Sequence, residues 1–246
     1  MMLRRRGVWF YLVQPHQCSK VLDTPIFSTS FSHFRFNTTI TNQSSSSIPI
    51  SIEKLVSQRC KSGSLHLDEA LDLFKGLIQK RSFASVIPFN QILTTIAKLK
   101  NPHHHKTVIS LFKTMNSYGI QPDIYTFNIL INSYCLLGRV DLGFVVLGYI
   151  HRHGLEPNSA TTFNTLLKGL FMEGKTTQAL NLFNNILANG CLLDQVTFGV
   201  MINGLCKTTN ADVALKFMRD LEKQNHLKPD VQMYSVIIDT LCKETR

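Results

Sequence analysis

Short amide and hydroxyl side chains recur along the chain at a spacing that could present one hydrogen-bonding group per structural step. Asn90, Asn128 and Asn164 each follow an aromatic residue directly, and Gly199 and Ser235 continue the series. An asparagine amide both donates and accepts hydrogen bonds, so it can recognise the edge of a nucleic-acid base. A row of such amides, one per step, therefore favours recognition of a single-stranded nucleic acid.

The aromatic residues that open this series define an internal repeat. They are Phe89, Phe127, Phe163, Phe198 and Tyr234, at spacings of 38, 36, 35 and 36 residues. A second marker, a Leu-Phe pair or an apolar equivalent, keeps the same period at 73–74, 111–112, 146–147, 182–183 and 217–218. Such a period, with no intervening domain, is typical of a solenoid whose stacked units share one core.

Each repeat is counted from the residue three before its aromatic, so that Ile124 and Ala160 are first residues. The fourth, seventh, eighth and eleventh residues are then apolar: Phe127, Leu130, Ile131 and Tyr134 in one repeat, and Phe163, Leu166, Leu167 and Leu170 in the next. On a helix these directions cluster within about 100° and predict a buried stripe. The second, fifth and ninth residues point nearly opposite, which predicts that the amides lie on a face directed away from the core.

The repeat register divides the chain. We predict a targeting segment and linker at 1–50, a degenerate repeat or cap at 51–85, four full repeats at 86–123, 124–159, 160–194 and 195–230, and one first helix at 231–246. Helices are expected over 52–60 and 67–79, and glycines that end second helices in a left-handed conformation are expected at Gly119, Gly154 and Gly190.

The last helix is expected to expose an apolar stripe of Tyr234, Ile237, Ile238 and Leu241. Solenoids normally end in a polar cap, so we expect a fragment, a truncated gene product, or a chain that pairs through its open C-terminal end.

The chain is basic on both sides of residue 50. Its formal net charge is +10, of which residues 1–50 carry +4, and this favours a polyanionic partner. Residues 1–50 combine three arginines at 4–6 with abundant serine and threonine and a single acidic residue, Asp23, which is typical of an organelle transit peptide. We predict a mitochondrial protein, with the chloroplast as the alternative, and no membrane span.

Neither the cysteines nor the histidines show the spacing of a metal site. Cys135, Cys206 and Cys242 take the same place in their repeats and are predicted core residues, while Cys18, Cys60 and Cys191 have no partner at C-x-x-C spacing. The three histidines at 103–105 are predicted to form a solvated turn between two helices. We expect no metal, no cofactor and no enzymatic activity.

The repeats resemble pentatricopeptide repeats of the plain 35-residue class, over about 86–246. The resemblance rests on TFNILINSYCLLGRVD from Thr126, on TFNTLLKGLFMEGK from Thr162, on TFGVMINGLCK from Thr197, and on the Pro-Asp pairs that close repeats. The chain is similar to fertility-restorer-like members in plants. The resemblance implies an all-α fold, a right-handed solenoid of helix-turn-helix repeats, that binds single-stranded organellar RNA with one nucleotide per repeat.

The resemblance also assigns roles by place in the repeat. The fifth and last residues would select the base, as Asn90 with Asp123, Asn128 with Asn158, Asn164 with Asp194, and Gly199 with Asp230, while Ser235 has no last residue. The first three pairs would favour uracil, cytosine and uracil. Bases would stack between the second residues Ile87, Tyr125, Thr161, Val196 and Gln232, and phosphates would meet Lys98, Lys207 and Lys243.

The resemblance implies a function by occupancy. The bound protein would act in processing, stabilisation or translation of a transcript, as a fertility restorer does, with a processing nuclease or another protein as a further partner. Two alternatives stay open at this point: a tetratricopeptide-like scaffold that binds protein, and a truncated family member without function.

Overall fold

All regular structure in the described part of the chain is α-helix. The computed structural model describes residues 51–80, 85–99, 101–153, 155, 159–188, 193–223 and 228–244. The helices are α1 (Ile52–Ser62), α2 (Leu67–Gln79), α3 (Ile87–Lys98), α4 (His103–Ser117), α5 (Ile124–Leu136), α6 (Val140–Arg152), α7 (Ser159–Met172), α8 (Thr176–Ala188), α9 (Gln195–Thr208), α10 (Ala211–Lys223) and α11 (Val231–Glu244). The predicted leader at 1–50, Cys18, Gly154, Asn158, Gly190 and Cys191 lie outside the described residues.

Acidic residues at the ends of repeats start the next helix. The carboxylate Oδ1 of Asp194 accepts the N–H of Thr197 at 2.8 Å, and Oδ1 of Asp230 accepts the N–H of Met233 at 2.9 Å. Each bond satisfies a donor that the first turn of a helix leaves without a backbone partner, and the negative charge meets the positive end of the helix dipole. The last residue of these repeats therefore has a structural role of its own.

Of the three glycines predicted to end second helices, Gly119 lies within the described residues. Gly119, predicted to follow a second helix, lies just after α4 with φ 74°, in the left-handed region that glycine enters at little cost. Helix α2 spans 67–79, as predicted, and α1 runs two residues past its predicted end at Cys60.

The prediction of a solvated histidine turn is wrong. Residues 103–105 form the first turn of α4, because Oδ1 of Asn101 accepts the N–H of His103 at 2.9 Å and holds the helix start. His105 is only 7% exposed, and its burial lowers the pKa of its imidazole, to which the neighbouring His104 adds. Among the described residues, no three His, Cys, Asp or Glu side chains come together as a metal site would require.

The described residues form two compact units, 51–123 and 124–244. In the first unit, α3 packs against α1, α2 and α4. The rings of Phe74 and Phe89 meet edge to face with centroids 5.4 Å apart. Ile92 on α3 and Met115 on α4 are fully buried. The core of this unit thus lies between its helical hairpins.

In the second unit the first helices of successive repeats pack side by side. Helix α7 contacts α5 and α9, and α9 contacts α11, while the second helices α6, α8 and α10 pack against these first helices as another layer. The fourth, seventh, eighth and eleventh residues of both repeats, which form the two predicted stripes, are all buried. This confirms the predicted hairpin repeats and their buried stripe.

Glycines allow neighbouring first helices to approach closely. Gly169 on α7 faces the sulfur of Cys135 on α5, and Gly204 on α9 faces the ring of Phe171 on α7. A Cβ on either glycine would collide with the facing side chain. Both glycines occupy the tenth place of their repeats, so the same place sets the spacing of two successive helix pairs.

Glutamates near the ends of first helices also join successive repeats. Oε1 of Glu173 accepts the N–H of Val140, the first residue of α6, at 2.7 Å, and Oε1 of Glu244 accepts the N–H of Ala211 at 3.0 Å. Each glutamate comes from the repeat after the helix that it caps. These bonds fix how one hairpin stacks on the next.

Helix α11 differs in part from its prediction. Tyr234, Ile238 and Leu241 are exposed as expected, whereas Ile237 is 2% exposed because it packs toward the preceding hairpin. Cys242, predicted to be a core residue like Cys135 and Cys206, is exposed. A cysteine at this place is buried in α5 and α9, where another first helix follows in contact.

Candidate nucleic-acid interface

The fifth residues of the repeats lie on first helices, α3, α5, α7, α9 and α11, but they are not equally accessible. Asn128, Asn164 and Gly199 are half-buried, and Ser235 is exposed. Asn90 is 9% exposed, so the prediction of a face open to solvent is wrong for this residue.

Asn90 and Asp123 form a hydrogen-bonded pair. Nδ2 of Asn90 donates to Oδ1 of Asp123 over 2.9 Å, across 33 positions of sequence. The two residues are the fifth and the last of one repeat, which the resemblance places together. The carboxylate binds the nitrogen end of the amide, so the amide oxygen is turned away from Asp123.

Asn164 and Asp194 repeat this arrangement in the second unit. Nδ2 of Asn164 donates to Oδ1 of Asp194 over 3.3 Å, and the same carboxylate oxygen accepts the hydroxyl of Thr197 at 2.7 Å. Burial alone would raise the pKa of the Asp194 carboxyl, but the hydrogen bonds from Thr197 and Asn164 outweigh it and hold the pKa below its ordinary value. The carboxylate is therefore charged when it orients the amide.

The oxygen of the Asn164 amide is a buried hydrogen-bond acceptor without a described donor. Oδ1 is shielded from solvent, and no described residue donates a hydrogen bond to it. An unsatisfied buried acceptor costs about 1–3 kcal/mol. A ligand N–H that reached this oxygen would recover that free energy.

Asn128 is held from the opposite end of its amide. Its predicted partner Asn158 lies outside the described residues, and the contact that the structure gives is from the hydroxyl of Thr162, which donates to Oδ1 of Asn128 at 2.7 Å. The amide nitrogen is therefore turned away from Thr162. Sequence reasoning missed Thr162, although Thr126, Thr162 and Thr197 recur directly before the aromatic in three repeats.

Gly199 and Asp230 do not form a side-chain pair, because Gly199 has no side chain. They line a cavity of about 450 Å³ with three more of the predicted residues, Val196, Lys207 and Gln232. The predicted second, fifth, thirteenth and last places of this step thus meet around one cavity. Oδ2 of Asp230 also lies 3.5 Å from Nε2 of Gln195.

The second residues of the repeats, which the resemblance assigns to base stacking, are exposed. Ile87 is 60%, Tyr125 64% and Val196 62% exposed, and the polar residues Thr161 and Gln232 are exposed at the same place. Single exposed apolar side chains are common on protein surfaces, but these three recur at the same place of three repeats.

The predicted phosphate-binding lysines are all exposed. Lys207 lines the cavity at Gly199, and Lys98 lies in the last turn of α3. Nζ of Lys243 contacts Oδ2 of Asp239 at 2.5 Å, but both side chains are more than 60% exposed, so the pair is weak and a phosphate could compete for the lysine. Ser235 donates to the carbonyl of Val231 within its own helix at 2.7 Å.

In the described residues, no helix has the length and apolar character that crossing a bilayer requires.

Models of known protein families match three stretches of the chain. The PPR repeat family matches residues 159–207, and two further models of the PPR repeat match 118–149 and 196–226. These stretches cover the repeats that carry Asn128, Asn164 and Gly199. The predicted family is therefore confirmed from sequence alone.

Two relatives are plant proteins. A putative mitochondrial pentatricopeptide repeat-containing protein of Arabidopsis thaliana is 38% identical over 125 residues, which is 50% of this chain and 20% of the relative. The mitochondrial protein Rf1 of Oryza sativa subsp. indica is 29% identical over 136 residues, 54% of this chain and 17% of Rf1. The chain thus spans a fifth or less of the length of these relatives.

A solved structure has the same fold. The crystal structure of the pentatricopeptide repeat protein PPR10 in complex with an 18-nt psaJ RNA element aligns with a TM-score of 0.67 over 79% of this chain and 28% of PPR10, at 19% identity. Together with the all-helical structure of this chain, the match confirms the predicted all-α solenoid class. From its three repeat matches, we conclude that the chain belongs to the pentatricopeptide repeat family.

Proposed function

We propose that the chain binds single-stranded RNA and selects bases through the fifth and last residues of its repeats. The observation that carries the proposal is the pair of amide–carboxylate bonds, Asn90 to Asp123 at 2.9 Å and Asn164 to Asp194 at 3.3 Å. The same two places are joined in both repeats by the same atoms. A fixed amide is a better recognition group than a mobile one, because its orientation is already set before the ligand binds.

The orientation of these amides favours uracil. With Nδ2 committed to the carboxylate, the amide oxygen of Asn164 is the end turned away from Asp194. Uracil presents its N3–H donor on the Watson–Crick edge, whereas cytosine presents an acceptor at that atom. The acceptor without a described donor at Asn164 would therefore be satisfied by uracil and left unsatisfied by cytosine.

Stacking and charge would supply affinity that does not depend on sequence. Tyr125 and Val196 are exposed at the second places, where a base can lie against them, and stacking on aromatic side chains contributes about 1–3 kcal/mol per base. The net charge of +10 favours binding of a polyanion. We expect affinity to fall with salt while the order of preference among RNAs is kept.

We further propose that the protein acts in the mitochondrion by occupying a transcript, as a restorer-like member of the plain repeat class would. Relatives named as mitochondrial support this location, as does the arginine-rich composition of residues 1–50. A bound protein can block a nuclease, hold an RNA unfolded or guide a processing enzyme, and none of these requires a catalytic group in the repeats.

The proposal is tested by fluorescence anisotropy of the full chain with short labelled RNAs. One RNA carries UCU within an unstructured adenine tract, and the other carries GAG at the same place. We expect tighter binding to the first, and Asn164→Ala should reduce this preference several-fold. Asn181→Ala is the matched control, because Asn181 is exposed on α8, away from the first helices, and should leave the preference unchanged.

Equal affinity for both RNAs would contradict base selection. Absence of binding to either RNA would contradict RNA binding as a whole and would favour a protein partner for the repeat surface.

A further inference from the structure

The buried hydroxyl of Thr162 forms a hydrogen bond to a side chain of the preceding repeat. Thr162 lies on α7 and is 0% exposed, yet its hydroxyl donates to Oδ1 of Asn128 on α5, in the preceding repeat, at 2.7 Å. The bond crosses between two first helices and ends on a side chain at the candidate interface.

The fold does not require a hydroxyl at this place. The third residues of the repeats are Pro88, Thr126, Thr162, Thr197 and Met233, and all five are buried. Apolar residues therefore fill the place in α3 and α11 without loss of the helix. Among the described contacts, the hydroxyl of Thr162 adds the hydrogen bond to the amide of Asn128.

We propose that Thr162 is a positioning residue that decides which base the Asn128 step accepts. This inference rests on the proposed function and names a residue outside the second, fifth and last places. By donating to Oδ1, Thr162 turns Nδ2 of Asn128 toward the ligand, so this step offers N–H donors. Cytosine has an acceptor at N3 and can accept a hydrogen bond from this N–H. Uracil carries N3–H there, so two donors would face each other.

In the neighbouring repeat the asparagine amide is held from its nitrogen end. Thr197 occupies the place that corresponds to Thr162, but its hydroxyl goes to Oδ1 of Asp194, and that carboxylate holds the nitrogen end of Asn164. Two asparagines at the same place are thus anchored from opposite ends. The carboxylate holds the nitrogen end of Asn164, and the threonine hydroxyl holds the oxygen end of Asn128.

The test compares Thr162→Val with Thr165→Val. Valine keeps the size and branching of threonine and removes the hydroxyl. Thr165 lies on the same helix, and its hydroxyl donates only to the carbonyl of Thr161 at 2.8 Å among the described contacts, so it is the matched control. Thr162→Ser keeps the hydroxyl and serves as the rescue variant.

Binding of the full chain is measured by anisotropy to two RNAs, UCU and UUU in the same adenine tract. For the unchanged protein we expect about tenfold tighter binding of UCU, as one misplaced hydrogen bond of about 1.4 kcal/mol would give. Thr162→Val should reduce this ratio to about twofold or less, while Thr165→Val and Thr162→Ser should retain it. A purely structural role of Thr162 would weaken both RNAs equally and leave the ratio unchanged.

A retained ratio in Thr162→Val would overturn the inference, and so would an unchanged protein that binds UCU and UUU equally well. If valine disrupts folding, as seen by circular dichroism, Thr162→Ala removes the same hydroxyl without overfilling the site, and the same ratio decides. Failure of the unchanged protein to bind either RNA would refute the proposed function, which is a separate result.

Discussion

Two glycines of α9 provide a test of the close packing between first helices, because a methyl group added at one of them meets a neighbouring helix and at the other does not. Gly199 and Gly204 lie five positions apart on the same helix. A Cβ at Gly199 would meet nothing within 4 Å, whereas a Cβ at Gly204 would collide with the ring of Phe171 on α7. The same substitution, glycine to alanine, should therefore have opposite effects at the two places.

The size of the difference follows from two contributions. Replacement of glycine by alanine inside a helix stabilises it by about 0.8–1 kcal/mol, and this applies at both places. At Gly204 the added methyl must also displace Phe171, and overpacking of this kind costs about 1–3 kcal/mol. The free energies of unfolding of the two variants should therefore differ by about 1–3 kcal/mol, with Gly199→Ala the more stable.

Thermal unfolding of the full chain, followed by far-UV circular dichroism, measures this difference. For a chain of this size 1 kcal/mol corresponds to about 2–4 °C, so the midpoints should be separated by roughly 2–12 °C. Gly199→Ala should melt at or above the unchanged protein. If Gly204→Ala melted as high as Gly199→Ala, the close contact of α7 and α9 at Phe171 would be refuted.

Three further predictions concern the helix caps and the candidate interface. Glu173→Ala removes the acceptor for the N–H of Val140 and should lower the free energy of unfolding by about 1–2 kcal/mol in urea titrations, and an unchanged midpoint would contradict its capping role. Gly199→Asn adds an amide beside Asp230 and should create a preference for uracil at that step in anisotropy measurements, which a flat base profile would refute. The pKa of the Asp194 carboxyl is below its ordinary value of 3.8, so its contribution to stability is present above that value and is lost as the pH falls below it. Asp194→Asn keeps the cap without this titration and should lose less stability on acidification, and parallel acid-unfolding curves for the two proteins would contradict the prediction.

The last residue of a repeat has two roles that restrict its type. Asp194 caps α9 through Thr197 and at the same time binds the amide of Asn164. Only short polar side chains cap a helix start well, and aspartate and asparagine are among the best. An exchange between these two types would change the hydrogen bond offered to the amide with little cost to the helix, so recognition can vary while the fold is kept.

Apolar spacing along the chain was enough to predict the repeat, its helices and its buried stripe. The bounds of α2 and the burial of Phe127, Leu130 and Leu166 could be predicted because apolar periodicity is local and every repeat states it again. The same periodicity assigned the fifth residues to one helix face. These properties depend on spacing along one helix, which a sequence displays directly.

Which side chain faces a given residue depends on how the helices pack together. Pattern reasoning placed Asn90 on an open face and Cys242 in the core. In the structure Asn90 is buried and bonded to Asp123, whereas Cys242 is exposed because no further described helix packs on α11 as α11 packs on α9. Thr162 went unnoticed because its contact lies 34 positions away on another helix. Hydrogen bonds between repeats depend on the distance and angle between stacked helices, and these are fixed only when the hairpins pack together.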